Sequence, residues 1–118
     1  MSAPRRLLVV DDDLKLAKLI ERMLPQWSVT IRERAQDALD FIAAGERFDA
    51  VLCDLRLRGM SGQEFYARLE PDLRARTVIM TGDPSFEGEQ GRVRVLQKPF
   101  RAAELRDALD ATAPPEEG

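Results

Sequence analysis

Val51-Leu52-Cys53-Asp54-Leu55-Arg56-Leu57-Arg58-Gly59-Met60-Ser61-Gly62 is the stretch that decides how this chain folds. An apolar, β-prone run ends in a single carboxylate, and a loop punctuated by two glycines follows. A strand apolar at consecutive positions is covered on both faces, the habit of parallel sheets wrapped by helices. Two other runs agree: Leu7-Leu8-Val9-Val10 stops at Asp11-Asp12-Asp13, and Val78-Ile79-Met80 stops at Thr81. Two further segments, 29–32 and 92–95, alternate with charge through Arg32, Arg92 and Arg94, as sheet edges do, and the fifth strand is expected over 93–96.

Between these runs the apolar spacing turns helical. Leu16, Ile20, Met23 and Leu24 form a stripe closed by Pro25; Ala38, Leu39, Ile42 and Ala43 form a second, ended by Gly45. A third helix is expected over about 62–70, with Phe65 and Leu69 inward and Pro71 beyond it. A last helix is expected over 100–112, buried through Leu105, Ala108 and Leu109. Strands alternating with helices make βαβ units. With the charged strands at the edges, the order is 2-1-3-4-5: an α/β, flavodoxin-like, doubly wound five-stranded parallel sheet. The crossover from Met80 to Val93 departs from the pattern. Its Gly82, Pro84, Gly88 and Gly91 are poor helix material, so the fourth helix is expected to be shortened or irregular.

Composition narrows the function. The 118 residues suit one domain, expected over 5–112, with flexible termini at 1–4 and 113–118. The balance of 44% hydrophobic and 33% charged residues is that of a globular chain, with no run near a membrane span. Four apolar residues before the aspartates are too few for a signal peptide, so a cytoplasmic location and no membrane partner are expected. A net charge of −3 with mixed signs gives no basic stripe for nucleic acid. The absence of histidine excludes Ser-His-Asp and Cys-His catalysis, His-ligated zinc, and a phosphohistidine donor. Cys53, the one cysteine, reads as a core thiol.

Ligands of an open parallel sheet sit outside the carboxyl ends of its strands. There the sequence puts Asp11 and Asp12, Asp54, Thr81 and Lys98, while Asp13 is placed to cap the first helix. Clustered carboxylates raise one another's pKa unless a cation neutralises them, and a hard, oxygen-seeking ion such as Mg²⁺ fits. Lys98 and Thr81 add a charge and a donor for an anion. Metal, anion and carboxylate nucleophile together describe phosphoryl transfer onto Asp54.

Taken in this order, Leu7 to Asp12, Asp54 with Gly59-Met60-Ser61-Gly62, Met80-Thr81-Gly82 and Lys98-Pro99-Phe100 give a chain that resembles a response-regulator receiver domain of two-component signalling. The resemblance implies a phosphorelay protein whose Asp54 takes its phosphoryl group from a histidine kinase, a histidine phosphotransfer protein or a small phosphodonor. It implies Mg²⁺ held by Asp11, Asp12, Asp54 and the backbone carbonyl of Arg56. Lys98 would pair with a phosphoryl oxygen, Thr81 would move to bond the phosphoryl group, and the Lys98-Pro99 peptide would be cis. Signalling would pass through contacts with a downstream protein or a second copy of the chain. Apart from its own phosphorylation and dephosphorylation, the chain would catalyse nothing.

Two departures stand out. Arg58 occupies a position where receivers usually carry proline, and Val95 replaces the usual aromatic switch. With no ring to swing, phosphorylation is expected to act by ordering or shifting the 82–92 loop. Arg56 and Asp83, each two residues beyond a site residue, are expected to set the lifetime of the phosphoryl group. A stand-alone receiver is the first expectation, and one cut from a hybrid kinase or multidomain regulator the second. A Mg²⁺-dependent aspartyl phosphatase is disfavoured because Arg56 stands where such enzymes place an acid. A dinucleotide or flavin site is disfavoured because Asp11-Asp12-Asp13 would repel a pyrophosphate. A receiver that has lost phosphorylation is disfavoured because all the chemical residues are present.

Overall fold

The computed structural model describes residues 4–88 and 93–112. Its strands are β1 (Arg5–Val10), β2 (Trp27–Arg32), β3 (Ala50–Asp54), β4 (Thr77–Thr81) and β5 (Arg94–Gln97). Its helices are α1 (Leu14–Met23), α2 (Ala35–Ala43), α3 (Gly62–Ala67), α4 (Pro71–Arg74) and α5 (Ala102–Thr112). All strand pairs are parallel and the order is β2-β1-β3-β4-β5, as the edge charges implied.

Four consecutive residues show why the sheet is wound on both sides. Leu7 and Val9 point into a core shared with Ala17 and Ile20 of α1 and Leu105 and Leu109 of α5. Leu8 and Val10 point the other way, against Ala35 and Ala38 of α2 and Phe65 of α3. All four are fully buried, and each such side chain stabilises the fold by about 1.5–3 kcal/mol. On the β2 edge, Trp27, Val29 and Ile31 pack toward the first core, while Arg32 stacks 4.2 Å over the Phe41 ring.

Helix starts follow local chemistry. Asp13 caps α1, accepting the Lys15 and Leu16 N–H groups at 3.1 and 3.2 Å. Ser61 and Glu64 form a reciprocal capping box on α3. Several boundaries differ from the sequence reading, among them these. The third helix stops at Ala67, and Pro71 opens the short α4 at its first position instead of merely ending its predecessor. The last helix begins at Ala102 because Glu104 reaches back to accept the Arg101 N–H at 2.9 Å. β5 starts at Arg94, one residue late.

Among the described residues of the β4–β5 crossover, 82–88, there is no helix; residues 89–92 lie outside the description. The expected flexible ends, 1–3 and 113–118, lie outside it too, whereas Pro4 is described and exposed. No helix among the described residues is long and apolar enough to cross a membrane.

Candidate functional site

Register brings the strand ends to one edge. Val10 is level with Cys53, Asp54 with Met80, and Thr81 with Gln97. Asp11 and Lys98, one residue beyond β1 and β5, therefore flank Asp54 and Thr81. One carboxylate oxygen from each of Asp11, Asp12 and Asp54 lies within 4.8 Å of the others. Lys98 Nζ stands 3.3 Å from Asp54 Oδ2, and Arg58 Nε 4.0 Å from Asp12 Oδ2. The Lys98-Pro99 peptide is cis.

Asp11 is the most constrained of the three acids. It is fully buried; its Oδ1 accepts the Asp13 N–H at 2.9 Å. Its Oδ2 is the buried side-chain polar atom without a partner among the described residues. Burial, aided by the charge of Asp54, pushes its pKa up from 3.8 to about 6. An orphaned, buried carboxylate oxygen beside two further carboxylates is the donor set of a hard cation, so the residues fit a divalent ion such as Mg²⁺.

The loop after β3 is tied back onto the site. Leu55 N–H donates to the Met80 carbonyl and Gly62 N–H to the Leu55 carbonyl, both at 2.8 Å. Gly59 takes a φ of +81° between them, a conformation open to glycine.

Across the pocket, Thr81 is buried and its Oγ1 accepts the Asp83 N–H at 3.0 Å. The hydroxyl braces its own turn as an acceptor, which leaves its proton available to donate. Asp83 Oδ1 accepts from Ser85 Oγ at 2.7 Å and Ser85 N at 2.9 Å, and these bonds hold its carboxyl below the usual range. Gln97 Nε2 and Phe86 N both donate to the Asp83 carbonyl at 3.2 Å. Asp54, Arg56, Thr81, Gly82, Asp83 and Lys98 line an open pocket of about 590 Å³. A concavity of about 380 Å³ at the opposite edge is lined by Arg5, which pairs with Asp110 at 3.3 Å and lies 4.5 Å over Trp27. Its one acid is Asp110, and it lies away from the Asp11, Asp12 and Asp54 cluster.

Several neighbours escaped the sequence reading. Ser85 had a signal, since Asp-Pro-Ser is turn chemistry. Ser61 and Glu64 had one in their S-x-x-E spacing. Gln97 had none, because its partner lies 14 residues away across the crossover. Val95 is half-buried on β5, and Cys53 is a buried thiol whose pKa burial pushes well up, hence unreactive.

The family model for the response regulator receiver domain matches residues 7–110. The two-component response regulator ORR26 of Oryza sativa subsp. japonica is 36% identical over 110 residues, 86% of this chain and 19% of that protein. The uncharacterized transcriptional regulatory protein YkoG of Bacillus subtilis (strain 168) is 31% identical over 107 residues, 84% of this chain and 46% of that protein. The chain thus spans less than half the length of either relative. Among solved structures, the chemotaxis protein CheY4 of Vibrio cholerae superposes with a TM-score of 0.80 at 25% identity, covering 93% of this chain and 99% of that one. The signal receiver domain of an HD domain-containing protein from Pseudomonas fluorescens Pf-5 shares the fold, with a TM-score of 0.79 at 24% identity over 95% of this chain and 91% of that one.

Proposed function

Because the chain belongs to the response regulator receiver domain family, we propose that Asp54 is its phosphoacceptor, loaded by a histidine kinase or a histidine phosphotransfer protein. The observation that carries this reading is Lys98 Nζ held 3.3 Å from Asp54 Oδ2, beside a carboxylate cluster with an orphaned inner oxygen. In the transfer, an Asp54 carboxylate oxygen forms a bond to phosphorus as the bond from phosphorus to the donor's imidazole nitrogen breaks. The leaving imidazole keeps the electron pair, and Asp54 becomes an acyl phosphate. Lys98 meets the phosphoryl charge, and Thr81 donates its free hydroxyl proton to a phosphoryl oxygen. Asp11, Asp12, Asp54 and the Arg56 carbonyl would hold Mg²⁺, which supplies charge neutralisation for the carboxylates and the transferred group. Arg56 and Asp83 border the pocket, where they would control water's access to the acyl phosphate and hence its lifetime.

Incubation with acetyl phosphate and Mg²⁺, read by intact mass, is expected to add one phosphoryl group to the wild type and none to Asp54→Ala. An adduct on both proteins, or on neither, removes the assignment.

The readout we propose runs through the 82–88 segment, since Val95 offers no ring. Thr81 Oγ1 can donate to the phosphoryl group while it still accepts the Asp83 N–H, so a moving Thr81 tows the turn that Ser85 and Gln97 brace. Amide exchange at Asp83, Ser85 and Phe86 is expected to change when Mg²⁺ and a beryllofluoride phosphoryl mimic are added. Unchanged exchange there sinks this route. The greater length of the relatives favours, as a second reading, a receiver that works attached to further domains.

A further inference from the structure

Two of the three clustered carboxylates carry a tethered cation. Lys98 stands against Asp54, and Arg58 faces Asp12. Asp11 has none, and its inner oxygen is left without a partner. Lys98 has work to do in the chemistry proposed above, whereas Arg58 stands outside it. Its side chain is 89% exposed at the mouth of the cluster, and the guanidinium reaches inward only toward Asp12.

The loop fixes where that guanidinium can go. It is pinned by Leu55 N to Met80 O and by Gly62 N to Leu55 O, and closed by the Ser61–Glu64 capping box. Arg58 thus sits on a loop tied at both ends, with its Nε 4.0 Å from Asp12 Oδ2. Its guanidinium is always charged.

We infer that Arg58 is a built-in counter-cation at Asp12 that a divalent ion must displace, so that it weakens metal binding at the cluster. With Arg58 and Lys98 engaged, one carboxylate is uncompensated; without Arg58 there are two. The incoming ion meets less negative charge and a cation already seated on one of its ligands. Because the pair is exposed, the effect is modest and screened by salt. The inference rests on the proposed metal site, and its test separates the two.

Mg²⁺ titrations by calorimetry, at low salt and at about 0.5 M salt, would compare the wild type with Arg58→Ala, Arg58→Lys and Arg22→Ala. Arg22, in the last turn of α1, controls for net charge alone. At low salt Arg58→Ala is expected to bind Mg²⁺ about two- to fivefold more tightly, the range of an exposed ion pair. Arg58→Lys stays near the wild type, Arg22→Ala shows little gain, and the differences close at high salt. An unchanged or weaker affinity in Arg58→Ala, an equal gain in Arg22→Ala, or a gain that persists at high salt overturns the inference while leaving the metal site standing. A wild type that binds no Mg²⁺ overturns the site itself.

Discussion

Gly62→Ala is expected to cost about 1–3 kcal/mol of stability and to cut phosphorylation of Asp54 at least about tenfold. A Cβ at this position would lie 2.5 Å from the Asp54 carbonyl oxygen and 2.9 Å from Leu55 Cα. Both are backbone atoms, so no side chain can rotate away. The end of β3 and the start of α3 must separate, straining the 2.8 Å bond from Gly62 N to Leu55 O. The displaced atoms belong to the residue that carries the carboxylate and to its neighbour Leu55, so stability and chemistry fall together. Gly59→Ala makes the useful contrast. Nothing lies within 4 Å of its Cβ, and the strain comes only from a φ of +81°. It is expected to lose about 1–2 kcal/mol, with Asp54 left in register. Urea melts and acetyl phosphate kinetics on the two variants check this. A Gly62→Ala protein as stable and as reactive as the wild type would show that β3 and α3 have slack the geometry denies.

The same close approach shows what a sequence can and cannot disclose. Continuous apolar runs such as Leu7-Leu8-Val9-Val10 announce a sheet covered on both faces, and charge at Arg32 and Arg94 announces the edges. From there, the topology places Asp11, Asp54, Thr81 and Lys98 along one rim with no further information. Spacing is silent on long-range hydrogen bonding. Gln97 bonded to the Asp83 carbonyl, Arg58 beside Asp12, and an Asp11 oxygen with no partner are products of packing. Boundaries slipped for a related reason. The start of α5 is fixed by the reach of Glu104 to Arg101 N, and nothing in the apolar stripe of Leu105, Ala108 and Leu109 marks it. The crossover was legible as poor helix material but not as a braced turn, because Ser85 and Gln97 act on Asp83 from different directions.

The orphaned oxygen of Asp11 carries the second large effect. Its folded-state pKa of about 6 lies above its ordinary value of 3.8, so the folded protein holds that proton more tightly than the unfolded chain does. Its stabilising contribution is complete below about pH 4 and is lost as pH rises through 6. The metal-free protein is therefore expected to melt at a higher temperature at pH 5.5 than at pH 7.5. The difference is about 0.8 kcal/mol from this group, a few degrees in Tm for a domain of this size. The depressed carboxyl of Asp83 titrates below this window and does not oppose it. In the proposed site Mg²⁺ and the proton would compete for the same oxygen, so Mg²⁺ should raise Tm more at pH 7.5 than at pH 5.5. Asp11→Asn separates the contributions. Its amide can still accept the Asp13 N–H, and it puts a donor instead of a charge before Asp12 and Asp54. The variant should melt above the metal-free wild type at pH 7.5, lose most of the pH dependence between 5.5 and 7.5, and respond weakly to Mg²⁺. A metal-free wild type whose Tm is flat or falls from pH 7.5 to 5.5 would mean that Asp11 stays ionised without a cation, removing the electrostatic reason for a metal at this edge.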